Sequence, residues 1–481
     1  MKTVGHDTVP PIVAAEQIDT ALADINASLA NAILAKDDDT KPSWRTLKED
    51  ADAVAHALIT AGENVTYGAE EETPLYAIQS NLPVYFRFVG QARPRLAGDP
   101  LPDVRAASEL MQNTILPAAA ALDDANFRHL TASYDGHRAN RTNALVELLL
   151  GSGVLCALLI GVQLQLTRRT RRVINLPLLG ATLLLAGFAV YAVYVFVTAN
   201  EQLRAAKQDS FDSIHALWKA RAVANDANAE ESLYLLEHGT PQQQRHEDAF
   251  IQKSAQLLSG LPAAQAIAEA TAGRTQRIKG LIGDELNNIT YPGEREAASE
   301  MLRTFAGYLD IDRQIRDFER AGRHDQALAL DIGTAPGESD WAFERFDKAL
   351  GSTLAINQKY FEAQVERASS LLAAMPWAVP AVALLVALLA WLGLQPRINE
   401  YRFRPEPSDP APGRRRLTGC AGRHAGRDQR QHRGKARRLA GPSRPGQPQP
   451  RRDQRSFSPA ADQGPVARSA GLLQRRDGGP D

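Results

Sequence analysis

Three stretches of the chain are apolar from end to end, and the regions between them carry the three-and-four spacing of helices that bury one face. The apolar stretches cover residues 144–166, 176–198 and 371–394. Each is close to the roughly 20 residues a helix needs to cross a hydrocarbon core about 30 Å thick. The first carries Glu147 at its edge, where a long side chain can reach outward. The other two hold no ionisable group. Tyr191 and Tyr194 lie toward the end of the second, and Trp377 and Trp391 near the two ends of the third, where amphipathic rings favour the membrane boundary. The pattern predicts three transmembrane helices.

The polar regions also read as helices. In the first, Ile18, Leu22, Ile25, Leu29 and Ile33 form one buried stripe on a helix over 12–36, which Asp37-Asp38-Asp39 ends. Further helices are predicted over 43–62 and 74–97, and from Pro102 into the membrane, with Ser43 as an N-cap. In the second polar region the expected helices are 199–236, 242–261, 263–288, 293–321 and 341–370. Pro241, Pro262, Pro292 and Pro336 mark its breaks. No period-two run argues for a strand. The expected fold class is therefore all-α: an integral membrane protein with two extracytoplasmic helical bundles, 1–143 and 199–370, continuous with the transmembrane helices.

Charge adds orientation. Up to Phe403 there are 37 basic and 49 acidic residues, and beyond it 18 basic and 7 acidic, so a net charge of -1 conceals two opposite segments. Arg168, Arg169, Arg171 and Arg172 fall in the short connection 167–175, and Arg397 follows the third span. The positive-inside bias places both on the cytoplasmic side and both bundles outside. Residues 1–143 then need an upstream span to carry them across, because Met1–Ala15 has no apolar run. That expectation gives four spans in all. Residues 395–481 read as a basic disordered tail. Its arginines suit anionic lipid or nucleic acid. The abrupt change of composition fits better with a GC-rich gene read in the wrong frame, so no nucleic-acid partner is expected. Two cysteines, Cys156 and Cys420, exclude a disulfide framework.

A faint repeat supplies candidate site residues. Asp24-Ile25-Asn26-Ala27 on the first helix matches Asp226-Ala227-Asn228-Ala229 on the first helix of the second region, with Ile33-Leu34 and Leu235-Leu236 at the same offset. Asp24, Asn26, Asp226 and Asn228 are thus candidates for paired polar ligand sites, weighed against ordinary solvated helix surface. Gly153, Ala157 and Gly161 place small residues on one face of the first span, the arrangement of close helix packing, including that of a homodimer.

Outer helices that run on into membrane spans resemble the ligand-sensing modules of bacterial chemoreceptors and sensor kinases. The stretches Val13-Ala14-Ala15-Glu16-Gln17-Ile18, Asp24-Ile25-Asn26-Ala27 and Glu230-Glu231-Ser232-Leu233-Tyr234-Leu235-Leu236 are similar to actinobacterial four-span membrane proteins linked to amino-acid sensing. The resemblance implies a solute-binding protein outside and a signalling protein, such as a kinase, inside. It transfers no site residue.

Catalytic signatures are missing from the sequence: no Walker motif, HExxH, paired CxxC or GxSxG. His246-Glu247-Asp248 resembles a phosphoacceptor box only faintly. The ten histidines are scattered singly, and their spacing along the chain builds no metal site. The spans lack the ionisable residues of an ion pathway. The function expected is a non-enzymatic sensor of the bacterial cytoplasmic membrane, without cofactor, with membrane lipid around its spans. A structural or assembly protein of the envelope is the alternative, and a transporter subunit the weaker one.

Overall fold

The computed structural model describes residues 9–36, 42–93, 99–170 and 175–402. These residues are nearly all helical, with a single isolated bridge, Ser259 to Lys279, and no strand among them. The order is α1 (Val9–Leu34), α2 (Pro42–Glu63), α3 (Ala69–Ala92), α4 (Leu101–Leu110), a π-turn (Met111–Ile115), α5 (Leu116–Thr170), α6 (Leu176–Arg204), a second π-turn (Ala205–Phe211) and α7 (Asp212–Leu236). There follow α8 (Gln242–Leu257), α9 (Ala263–Thr271), α10 (Leu281–Asn287), α11 (Glu294–Arg320), α12 (His324–Asp331), α13 (Ser339–Ala373) and α14 (Met375–Arg402).

Three continuous helical runs are long and apolar enough to cross a membrane: Leu101–Arg168, Leu176–Leu236 and Ser339–Pro396. Their apolar parts coincide with the three stretches read from the sequence. These apolar parts touch through Cys156, Leu159, Leu178, Ala181, Leu185 and Val386 at one level and Phe188, Ala192, Val195 and Leu372 at another. Asn175 caps α6 and donates 2.8 Å to the carbonyl of Gly393 on α14. A Cβ on Gly393 would meet Leu178 Cγ at 2.9 Å, so the glycine allows the close approach of α14 to α6. Gly153, Ala157 and Gly161 are exposed, and a Cβ added to either glycine would meet no atom within 4 Å. Within the chain α5 packs instead through the opposite face that carries Ser152, Cys156 and Leu159. Arg168 is exposed; Arg171 and Arg172, the side chains of Arg169 and Arg397, the Asp37-Asp38-Asp39 stop and the tail from 403 lie outside the described residues.

The expected single stripe on α1 underestimates its burial. Ile18, Leu22, Ile25 and Leu29 are sealed, as are Ala15, Ala23, Ala27, Ala30 and Ala32 around the rest of the helix. A helix buried on most of its sides belongs in the middle, and α1 packs against α2, α5 and α7. The two polar regions share this seam: Leu34 joins the core of the second region and Leu233 that of the first.

Several local expectations are corrected. The helix drawn over 263–288 is interrupted, because Gly273 (φ 73°) closes α9 with hydrogen bonds from Gly273 to Ala270 and from Arg274 to Glu269. Gly322 (φ 70°) closes α11 in the same way and leaves α12 as a separate short helix. Ser43, expected as an N-cap, lies one residue inside α2, which opens at Pro42, where the fixed φ of proline suits a first turn. Pro74, expected to open α3, lies inside it. That helix starts earlier because Glu71 accepts from the backbone of Thr66 and Tyr67, at 2.7 Å each. Gly280, beside the bridge, has φ 87°, and a Cβ there would stand 2.7 Å from the carbonyl oxygens of Gln256 and Leu257. Gly280→Ala is accordingly expected to destabilise the protein by about 2 kcal/mol, read as a lower melting temperature.

Candidate functional site

Between α1, α2, α7 and α13 lies a cavity of about 720 Å³. Its wall carries the carboxyl groups of Asp24, Asp50, Asp340, Glu344 and Asp347 against the cation of Arg221, with the His56 imidazole beside them. Arg221 is already engaged by a two-pronged ion pair, Nε to Asp347 Oδ1 at 2.6 Å and Nη2 to Oδ2 at 2.5 Å. The cavity is therefore net acidic. Trp218 and Phe343 give it aromatic walls.

Asp24 and Asp50 sit on facing turns of α1 and α2, within hydrogen-bonding reach of each other. Burial raises both above the usual carboxylate range, and for Asp50 the neighbouring Asp24 charge adds to it, bringing it to about 8. Near neutral pH the pair thus shares a proton.

Several polar groups at the wall have no partner. Thr20 is 8% exposed, and its hydroxyl meets no hydrogen-bonding group. The indole Nε1 of Trp218, also at the wall, is buried and meets no hydrogen-bond partner. Buried polar groups left unmatched are costly unless something else satisfies them, so the wall is built to be completed by an occupant.

The four sequence candidates separate. Asp24 and Asn228 line this cavity. Asn26 is buried and accepts from Ser108 at 3.2 Å. Asp226 pairs with Lys253 at 2.8 Å and accepts from Gln112, which places it beside a second cavity of about 210 Å³ between α4, α7 and α8. There the charges are matched: Lys253 and His246 hold Glu230 at 2.6 Å each, and Arg105 holds Glu237 at 2.8 Å. His246 of the phosphoacceptor-like triplet is spent in this network. The cavity residues missed from the sequence are Thr20, Asp50, Asn225, Arg221 and Asp347. None has a local motif, and only the approach of α2 and α13 to the α1–α7 seam joins them.

The seam belongs partly to a recognisable segment. Residues 1–135 match the family of the actinobacterial sensor domain. The matched segment comprises α1 to α4 and the first part of α5, and supplies the α1 and α2 walls of the cavity. No curated protein and no solved structure matches the chain. A segment that matches a bacterial sensor domain thus forms half of the cavity, and α7 and α13, both continuous with candidate membrane spans, form the other half.

The fold also gathers ligand-type side chains that chain spacing kept apart, contrary to the expectation from single histidines. Glu16, Asp123 and His215, on α1, α5 and α7, bring one ligand atom each within 4.8 Å of one another, and His238, Glu319 and His324 do the same.

Proposed function

We propose that this chain is a membrane sensor of the bacterial cytoplasmic membrane in which the acidic cavity binds a small amine-bearing solute. The observation that carries the reading is the partly unsatisfied wall. Five carboxyl groups, a Trp and a Phe, and the unpartnered Thr20 hydroxyl and Trp218 indole N–H surround a space large enough for an amino acid or a polyamine. A cation is favoured because the acids outnumber the bases and Arg221 is occupied by Asp347.

Signal transfer follows from the walls. An amine drawn toward Asp24 and Asp50 on the sensor-domain side pulls those helices against α7 and α13, each of which runs on toward a span. A shift of about 1–2 Å between packed helices suffices as output. The π-turn at Ala205–Phe211, between α6 and α7, is the point where such a shift is absorbed or passed on. The shared core of α1 and α7 supports both polar regions lying on one side of the membrane, and the arginines at 168–172 support that side being outside. In this reading the protein does no chemistry itself, and a cytoplasmic signalling protein takes up the change. A solute-binding protein is not required where the free amine is itself the input.

The test is a melting experiment on the full chain in detergent with amino acids, diamines, polyamines and matched uncharged alcohols. Amines are expected to raise the melting temperature, alcohols to leave it unchanged, and Asp24→Asn with Asp50→Asn to remove the response. A folded protein indifferent to every amine would overturn the reading and favour an envelope structural role.

A further inference from the structure

A second site, separate from the cavity, is formed where α1, α5 and α7 meet. We infer that Glu16, Asp123 and His215 bind a divalent transition-metal ion, zinc in the first instance. His215 Nδ1 stands 3.5 Å from Glu16 Oε1 and 3.5 Å from Asp123 Oδ2. These separations exceed those of hydrogen bonds, which cluster near 2.7–3.2 Å. They match neighbouring ligands on one tetrahedral ion, about 3.3–3.6 Å apart when metal–ligand bonds are about 2.0–2.2 Å.

The second observation is what these atoms lack. Both oxygens of Glu16, Oδ1 of Asp123 and Nδ1 of His215 are buried and meet no hydrogen-bond partner, and Glu16 is 3% exposed. An acid buried so deeply in a helical seam with no donor is a standing cost; an ion satisfies all three ligands at once. One imidazole and two carboxylates suit zinc and its neighbours in the first transition row, with water in the remaining position. The His215 ring stacks on Phe127 at 4.1 Å, which fixes its direction toward the two acids.

The other histidine cluster shows the contrast. His238 and His324 lie 2.7 and 2.5 Å from the two oxygens of Glu319, ordinary hydrogen bonds that leave its carboxylate satisfied. It is the internal control. An ion at the first site ties α1 of the sensor-domain segment to α5 and α7, which lead into the first and second spans. Metal supply would then set how tightly those helices are joined, independently of the cavity.

The experiment uses the full chain in detergent, stripped with chelator and titrated with Co²⁺ and Zn²⁺. One equivalent of Co²⁺ is expected to give a visible d–d band that Zn²⁺ displaces, with a rise in melting temperature. His215→Gln and Glu16→Gln should each abolish the band, while the double variant His238→Gln, His324→Gln and the cavity variant Asp50→Asn keep it. Glu16→Gln, neutral and of the same shape, decides the matter if the His215 variant does not fold. A wild-type protein that takes up no stoichiometric Co²⁺, or a band that follows His238 and His324, overturns the inference.

Discussion

Replacing Arg316 by Leu is expected to cost about 3–5 kcal/mol of folding stability, the penalty of stranding a buried charge. Arg316 is 4% exposed. Its Nη2 lies 2.7 Å from Asp312 Oδ1, its Nε donates to Oδ2 at 3.1 Å, and its guanidinium covers the rings of Tyr234 and Phe250 at 4.4 and 4.7 Å. Around it lie the buried acids Glu231 and Asp331, both held well above the usual carboxylate range, chiefly by burial. Tyr308 donates to Glu231 at 2.5 Å, and the Ser232 hydroxyl oxygen lies 3.2 Å from Asp331 Oδ2. With Arg316 gone, Asp312 keeps its desolvation cost and loses its counter-ion. Replacing Asp312 and Arg316 together by Leu removes both charges and is expected to recover most of the loss. Thermal unfolding of the two variants checks this; equal destabilisation in both would show that the ion pair is not the cause.

The affinity of the cavity for an amine is expected to rise roughly a hundredfold between pH 6 and pH 9. The proton held at the Asp24–Asp50 pair must leave before a cation meets full charge there, and Asp50 lies at about 8. Two pH units below that value, only about one molecule in a hundred is ready. Solvent reaching the half-buried Asp50 reduces this figure. In the empty protein the sign is opposite. Folded Asp50 keeps its proton up to about pH 8, whereas the unfolded chain releases it near its ordinary value of 3.8. The associated stability is therefore fully present below about pH 4 and is lost as pH rises through 8. An amine thus stabilises most where the empty protein is weakest. Asp50→Asn should flatten the affinity profile, and titration calorimetry at three pH values measures it. A profile as steep in the variant as in the wild type would assign the proton elsewhere.

Much of the helical plan was legible in the sequence because its signals are local. Pro241 and Gly239 close α7 at Leu236, and Gly293 opens α11 at Glu294, close to the expected ends. The three candidate spans needed only length and apolarity. Two kinds of feature were not legible. Gly273 and Gly322 end helices through positive φ, but a glycine within an otherwise helical run does not announce which conformation it takes. The cavity and the Glu16, Asp123 and His215 cluster depend on the α1–α7 seam. The clue to that seam was present on α1, where Ala15, Ala23, Ala27 and Ala30 surround the Ile and Leu stripe, since small residues allow other helices to come close. The repeat drew attention to α1 and α7, yet it could not say that Asp24 and Asn228 would line one cavity while Asp226 is taken up by Lys253 and Gln112.

The seam also governs the order in which the molecule can be completed. Asn31, near the end of α1, accepts from Ser232, 201 positions later, and donates to Asp340, 309 positions later. Contacts this distant in sequence form late, because a long loop must close before they return anything. Helix α1 is therefore made before α7 and α13 yet finished only with them, and until they arrive its alanine faces have only α2 to α5 to cover them.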